Sequence, residues 1–293
     1  MVRLVPGHGR KLSYYDFGRT VAHACQADPR FSYCAYVPRS YDEDGTQEYP
    51  LLVIVHGTLR DNAEYREVFV ELAERCQLIL LAPLFPAGIT APGELNSYKF
   101  IRAGALRYDH VLLSIVGEMR EKYRISGERF SLYGFSGGGH FAHRFLYAQP
   151  QALEAVSIGA PGIVTLLDDS YDYWVGTRDF AAHFGAPVDI AAMRRVAVQS
   201  VVGGADTDTW EIAVTPDSRL WMPGVEAMGA NRIDRSAALS RSLEAQGIAV
   251  RRDIVPGVAH SNRDVAPVVE NFFEEFYKKR QQPAVAAETE TSA

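Results

Sequence analysis

The chain of 293 residues is poor in the features that mark several function classes. It holds three cysteines, Cys25, Cys34 and Cys76, an odd number without C-x-x-C spacing, which argues against a disulfide framework or a zinc site. The patterns H-E-x-x-H and G-x-x-x-x-G-K-[ST] are absent, and Asp206-Thr207-Asp208 lacks the continuation of a calcium loop. No metal and no other cofactor is therefore expected. Basic surplus is missing as well: the net charge is -6 and the pI about 5.8, so there is no electrostatic footprint for nucleic acid or an anionic membrane surface. No run approaches the ~20 apolar residues of a membrane span, and Met1 to Arg10 lacks the apolar core of a signal peptide. The expectation is a cytoplasmic protein without nucleic-acid or membrane partners; its oligomeric state is not legible.

What is present is ordinary for a globular enzyme, with 47% hydrophobic and 23% charged residues. The length suits one α/β domain over residues 1–280, followed by a polar, alanine-rich tail over 281–293 that reads as disordered. Strand patterns at Phe31 to Val37, Leu51 to Val55, Leu78 to Leu81, Phe130 to Tyr133, Leu153 to Ile158, Val196 to Val202 and Ala249 to Val255 alternate with helical periods. The helical stretches are Asn62 to Arg75, Tyr108 to Tyr123, the segment after Gly139, Asn231 to Gln246 and Asp264 to Lys279. Such alternation implies a mostly parallel sheet covered by helices, with sites at the strands' carboxyl ends. Residues 161–193 interrupt it with Tyr171, Tyr173, Trp174, Phe180, His183 and Phe184. This aromatic-rich insertion reads as a small cap that walls a pocket, or as rings that pack the excursion onto the domain.

One motif dominates. Gly134-Phe135-Ser136-Gly137-Gly138 is a G-x-S-x-G sequence between the strand Arg129 to Tyr133 and a helical period, the context of a nucleophile elbow. Small residues flank the serine because the chain turns sharply there and passes close to its neighbours. A serine needs a histidine to take its proton and an acid to orient the histidine. His260 follows the last strand in a loop before the final helix, where a base should fall in the order Ser, Asp, His. Asp206 follows the strand Val196 to Val202 and is the first candidate for the acid, with Asp208 the alternative. The oxyanion of a tetrahedral intermediate needs backbone N–H donors: Gly137 supplies one, and the turn His56-Gly57-Thr58 supplies another from Thr58, with Leu59 the alternative. His56 itself reads as a brace for that turn. His143, His110 and His183 read as structural, and Arg60 as a solvated or ion-paired arginine that could otherwise meet a substrate carboxylate. Candidate pocket residues are Leu59, His140, Trp174 and Trp210, and the placement of Trp174, Trp210 and Trp221 suggests a hydrophobic or aromatic acyl pocket.

With Ser136, Asp206 and His260 in this order, and His56-Gly57 after an early buried strand, the chain resembles an α/β-hydrolase. From Asp109 through Gly138 it resembles the polyhydroxybutyrate depolymerase and feruloyl esterase branch. The resemblance covers residues 31–275 and implies a Ser-Asp-His triad, oxyanion donors at Thr58 and Gly137, no cofactor, and ester hydrolysis through an acyl-enzyme. Polymer-degrading members of that branch are usually secreted and often disulfide-bonded, and this chain shows neither sign. The expectation is thus an esterase acting on a small-molecule ester. Amide or peptide hydrolysis, acyl transfer on the same triad, and a non-catalytic binding role are the alternatives.

Overall fold

The computed structural model describes residues 12–281. The stretch Met1 to Arg10, read above for a signal peptide, and the tail beyond Gln281 lie outside the described residues, while Gln281 itself ends the last helix.

In chain order the strands are β1 (Gly18–Arg19), β2 (His23–Ala24), β3 (Ser32–Val37), β4 (Leu51–Val55), β5 (Ile79–Leu84), β6 (Arg102–Ala103), β7 (Leu106–Arg107), β8 (Phe130–Phe135), β9 (Leu153–Gly159), β10 (Ala197–Gly203) and β11 (Val250–Val255). The α-helices are α1 (Asn62–Val68), α2 (Val70–Cys76), α3 (Tyr108–Lys122), α4 (Gly137–Ala148), α5 (Phe180–Phe184), α6 (Ile190–Met193), α7 (Arg232–Ala245) and α8 (Asn262–Gln281). The main sheet runs β1-β3-β5-β4-β8-β9-β10-β11, with β2 also paired to β3; pairs involving β3 are antiparallel and the rest parallel.

The alternation of side chains along a strand builds the two layers. In β4 every residue is buried, but Leu51, Val53 and Val55 join one core with Leu112 and Ile115 of α3 and Phe141 and Phe145 of α4. Leu52 and Ile54 join the other with Leu72 of α2 and Val269 and Phe273 of α8. A strand buried on both faces carries no polar alternation, which is why its sequence is a continuous apolar run.

The chain leaves β4 toward β5 on one side and returns through β8 on the other. This reversal opens a crevice at the carboxyl ends of β4 and β8, where open α/β sheets bind ligands. The turns after Val55 and Phe135 both lie there.

Strand and helix positions agree with the sequence patterns to within a few residues, with three differences. The helix expected over Asn62 to Arg75 is two, broken at Phe69, which has φ -107° and ψ 10°. Its fully buried ring packs edge-on against Tyr133 at 5.0 Å, so core packing takes precedence over helix continuity. The two-residue strands β1, β2, β6 and β7 are too short to carry a periodic signal. Finally, the rings of the aromatic insertion pack on one another and on a neighbouring loop: Phe180 and Phe184 stack at 4.2 Å, Tyr173 packs against both, and Trp174 packs edge-on against Phe100 at 6.0 Å. Among the described residues, no helix is long and apolar enough to cross a membrane.

Candidate active site

Close backbone contacts shape the turn from β8 into α4. A Cβ on Gly134 would lie 2.1 Å from the carbonyl oxygen of Gly138, and one on Gly138 would lie 2.1 Å from that of Val55. Neither oxygen can retreat without moving α4 or the sheet. Ser136, between them, has φ 57° and ψ -115°, a positive-φ conformation that a residue with a Cβ adopts only when its surroundings hold it there. They do: the Ser136 N–H donates to Gly159 O at 2.9 Å, and its carbonyl accepts from His140 N at 3.1 Å. The half-buried serine thus stands at the N-terminus of α4.

The turn after β4 is braced from three directions. Phe85 N donates to His56 Nε2 at 3.0 Å, leaving the proton on Nδ1, 2.7 Å from Gly57 O. Tyr98 Oη donates to His56 O at 3.3 Å. Arg60 donates to the carbonyls of Thr58, Phe85 and Leu95, and its guanidinium lies over the Tyr98 ring at 5.0 Å. Arg60 is therefore committed to the loop. Thr58 N lies 3.1 Å from the place where a Cβ on Gly137 would stand, so the two backbone N–H groups expected to face an oxyanion are neighbours. Neither has a hydrogen-bond acceptor among the described residues.

The loops after β10 and β11 are joined by backbone bonds from Gly204 N to Val255 O, 2.7 Å, and from Ala205 N to Val258 O, 2.8 Å. This junction brings His260 Nδ1 within 2.6 Å of Asp206 Oδ2. Asp206 is buried and its other oxygen accepts from Arg232 Nη1 at 3.3 Å, whereas Asp208 is exposed and lies outside this contact. The His260 ring lies against Phe135, centroids 4.8 Å apart, beside the serine. No hydrogen bond joins His260 to Ser136 among the described residues; such contacts commonly tighten when substrate binds.

Ser136, Gly137 and Thr58 open into a cavity of about 140 Å³. Its apolar lining comes from Phe100, Ile163, Ile212, Val214 and Leu220, and its polar lining from Asn96, Lys99, His140, Glu211 and Arg232. Of the four pocket candidates, only His140 lines it. Leu59 is 87% exposed and Trp210 79% exposed, each turned outward beside a lining residue, Thr58 and Glu211. Trp174 is buried behind the wall, packed against Phe100 and donating to Leu220 O at 3.0 Å. The expected aromatic pocket is thus a mixed one, lined by the Phe100 ring and the His140 imidazole and by no tryptophan.

Burial holds His56, His140 and His143 neutral. For His56, loss of solvation lowers the pKa to about 4; for His140 and His143, burial first and nearby cations second hold it well below the ordinary value. His143 is spent between Gly139 O and Thr165 N. His110 and His183 lie outside the cavity beside Asp109 and Asp179. Lys99, Glu211 and Arg232 carry no local signal in the sequence, because no local pattern shows which charged residues will line a cavity. Among the described residues no cluster of three or more metal-ligating side chains occurs.

No protein-family model and no curated protein matches the chain. Solved structures do. Poly(aspartic acid) hydrolase-1 from Sphingomonas sp. KT-1 is 21% identical with a TM-score of 0.70, covering 87% of this chain and 98% of its own. A poly(3-hydroxybutyrate) depolymerase from Bordetella parapertussis is 22% identical with a TM-score of 0.70, covering 92% and 93%. An S-formylglutathione hydrolase from Agrobacterium tumefaciens is 17% identical with a TM-score of 0.54, covering 95% and 100%. Together with the sheet order, these likenesses show that the chain has the α/β-hydrolase fold.

Proposed function

We propose that the protein is a serine hydrolase that cleaves a carboxylic ester of a small molecule through an acyl-enzyme. Ser136 Oγ attacks the ester carbonyl while His260 takes its proton, and Asp206 orients the imidazole and stabilises its charged form. The N–H groups of Thr58 and Gly137 donate to the oxyanion. His260 then returns the proton to the leaving alcohol, and water attacks the acyl-serine by the same route to release the acid. The observation that carries this reading is the strained Ser136 sharing a cavity with two unengaged N–H groups, beside a histidine held by a buried aspartate.

Amide hydrolysis on the same residues is the second reading, favoured by the likeness to a poly(aspartic acid) hydrolase. A cytoplasmic location belongs to the same proposal and is supported by three buried, free cysteines. The test is initial rates on 4-nitrophenyl esters from acetate to dodecanoate, with wild type beside Ser136→Ala, and on a matched ester and anilide pair. Turnover abolished by Ser136→Ala supports the ester reading. Anilide cleavage that outpaces the ester favours the second, and equal rates for wild type and Ser136→Ala overturn both.

A further inference from the structure

Lys99 is buried, at 9% exposure, in the wall of the cavity that contains Ser136. Burying an ammonium group is costly unless an anion or a full set of acceptors compensates. Among the described residues Lys99 has no carboxylate within ion-pairing distance, and Nζ donates only to Asn96 Oδ1 at 2.8 Å. The two carboxylates whose charge acts on it, Glu94 and Glu211, are committed elsewhere. Glu94 accepts from the backbone of Asn96 and Ser97, and Glu211 pairs with Arg232 at 2.6 Å. Lys99 also reaches the reacting region: a Cβ on Gly137 would stand 3.1 Å from its Cε.

A second donor is left over on the same wall. His140 Nε2 accepts from Gly162 N at 2.7 Å and Ile163 N at 3.1 Å, so its proton resides on Nδ1. That nitrogen is buried and has no partner. A neutral substrate would leave both the ammonium and the Nδ1–H without an anionic acceptor, whereas a carboxylate offers an acceptor to the donors of this wall.

Resting on the esterase reading above, we infer that the substrate is an anionic ester, with a carboxylate near the scissile carbonyl that Lys99 and His140 bind. A charge-assisted hydrogen bond of this kind corresponds to a preference of about tenfold or more over a neutral isostere.

The test compares mono-4-nitrophenyl glutarate with 4-nitrophenyl pentanoate, whose five-carbon acyl chains end in a carboxylate or a methyl group. A second arm places the carboxylate on the leaving group, with 4-acetoxybenzoate against 4-methylphenyl acetate. The readout is the ratio of kcat/KM within each pair, corrected for uncatalysed hydrolysis. A ratio of about ten or more in at least one arm, collapsing in Lys99→Met and retained in Lys99→Arg, supports the inference. Serine-dependent turnover with no anionic preference in either arm overturns it while leaving the esterase standing. A ratio unchanged by Lys99→Met, with both rates lowered together, also overturns it and assigns Lys99 to the oxyanion or to packing.

Binding of monomethyl glutarate to Ser136→Ala, followed by calorimetry, gives a readout independent of turnover. Affinity lost on Lys99→Met supports the carboxylate site at Lys99 independently of turnover, and affinity indifferent to Lys99→Met counts against it. Circular dichroism of each variant identifies one that has not folded, in which case Lys99→Gln takes its place.

Discussion

The cavity has two walls of different construction. One is backbone: the end of β4, the elbow from Gly134 to Gly138, and the N–H groups of Thr58 and Gly137, packed so closely that a Cβ at Gly134 or Gly138 has no space. The other is side chain: Lys99, His140, Ile212 and Arg232, delivered by four separate stretches of the chain. A backbone wall presents the same dipoles whatever the substrate. A side-chain wall can change with single substitutions, so on the proposed function chemistry belongs to the first and selectivity to the second.

The largest expected effects break the reaction and leave the walls intact. Ser136→Ala is expected to lower kcat about 10⁶-fold on any hydrolysed ester. Asp206→Asn is expected to lower kcat about 10⁴-fold, while the exposed Asp208→Asn leaves it nearly unchanged; steady-state kinetics on both variants checks the assignment.

A smaller effect breaks the backbone wall itself. Gly138→Ala drives a Cβ toward Val55 O and is expected to destabilise the fold by about 3 kcal/mol or more in urea denaturation. Gly117→Ala, in α3 with open space around it, is expected to stabilise by about 0.5 to 1 kcal/mol. Equal responses from the two glycines would count against the close packing ascribed to the backbone wall.

Acid acts on both. The folded-state pKa of His56 is lowered to about 4, so between about pH 6.5 and 4 the unfolded chain binds a proton that the folded one excludes. Its stability contribution is complete above pH 6.5 and is lost as pH falls, by about 3 kcal/mol near pH 4. His140 and His143 shift in the same direction. A melting temperature that stays flat from pH 7 to pH 5 would count against neutral buried histidines.

The mildest perturbation touches selectivity alone. Burial first, then Arg60 and Arg144, lower the Lys99 pKa to about 8, against the opposing pull of Glu211 and Glu94. Lys99 is charged below that value, so the preference for an anionic ester is expected below about pH 8 and to fade as pH rises through it. A pH profile of the glutarate to pentanoate ratio measures this directly.

Legibility in the sequence follows the same division. The elbow could be read because its requirements fall on adjacent residues, a strand, small neighbours and a helix. Asp206 and His260 could be nominated because each follows a strand, although 54 positions separate them and only the joined loops after β10 and β11 bring them into contact. The pocket could not be read in this way. Leu59 and Trp210 belong to the right segments yet face outward, since neighbouring side chains on an irregular loop point in different directions. Lys99 carried no signal at all, because burial of a single charge depends on what folds over it.

By itself, the sequence determined the alternation of buried strands with helices and the strained serine turn, since periodicity and steric demand act over a few neighbouring residues. The tertiary structure alone decided that Asp206 meets His260, that Trp174 is buried behind the wall, and that Lys99 lines the cavity without a carboxylate partner. Those outcomes depend on contacts between distant segments, and local chain chemistry does not encode which distant groups will meet.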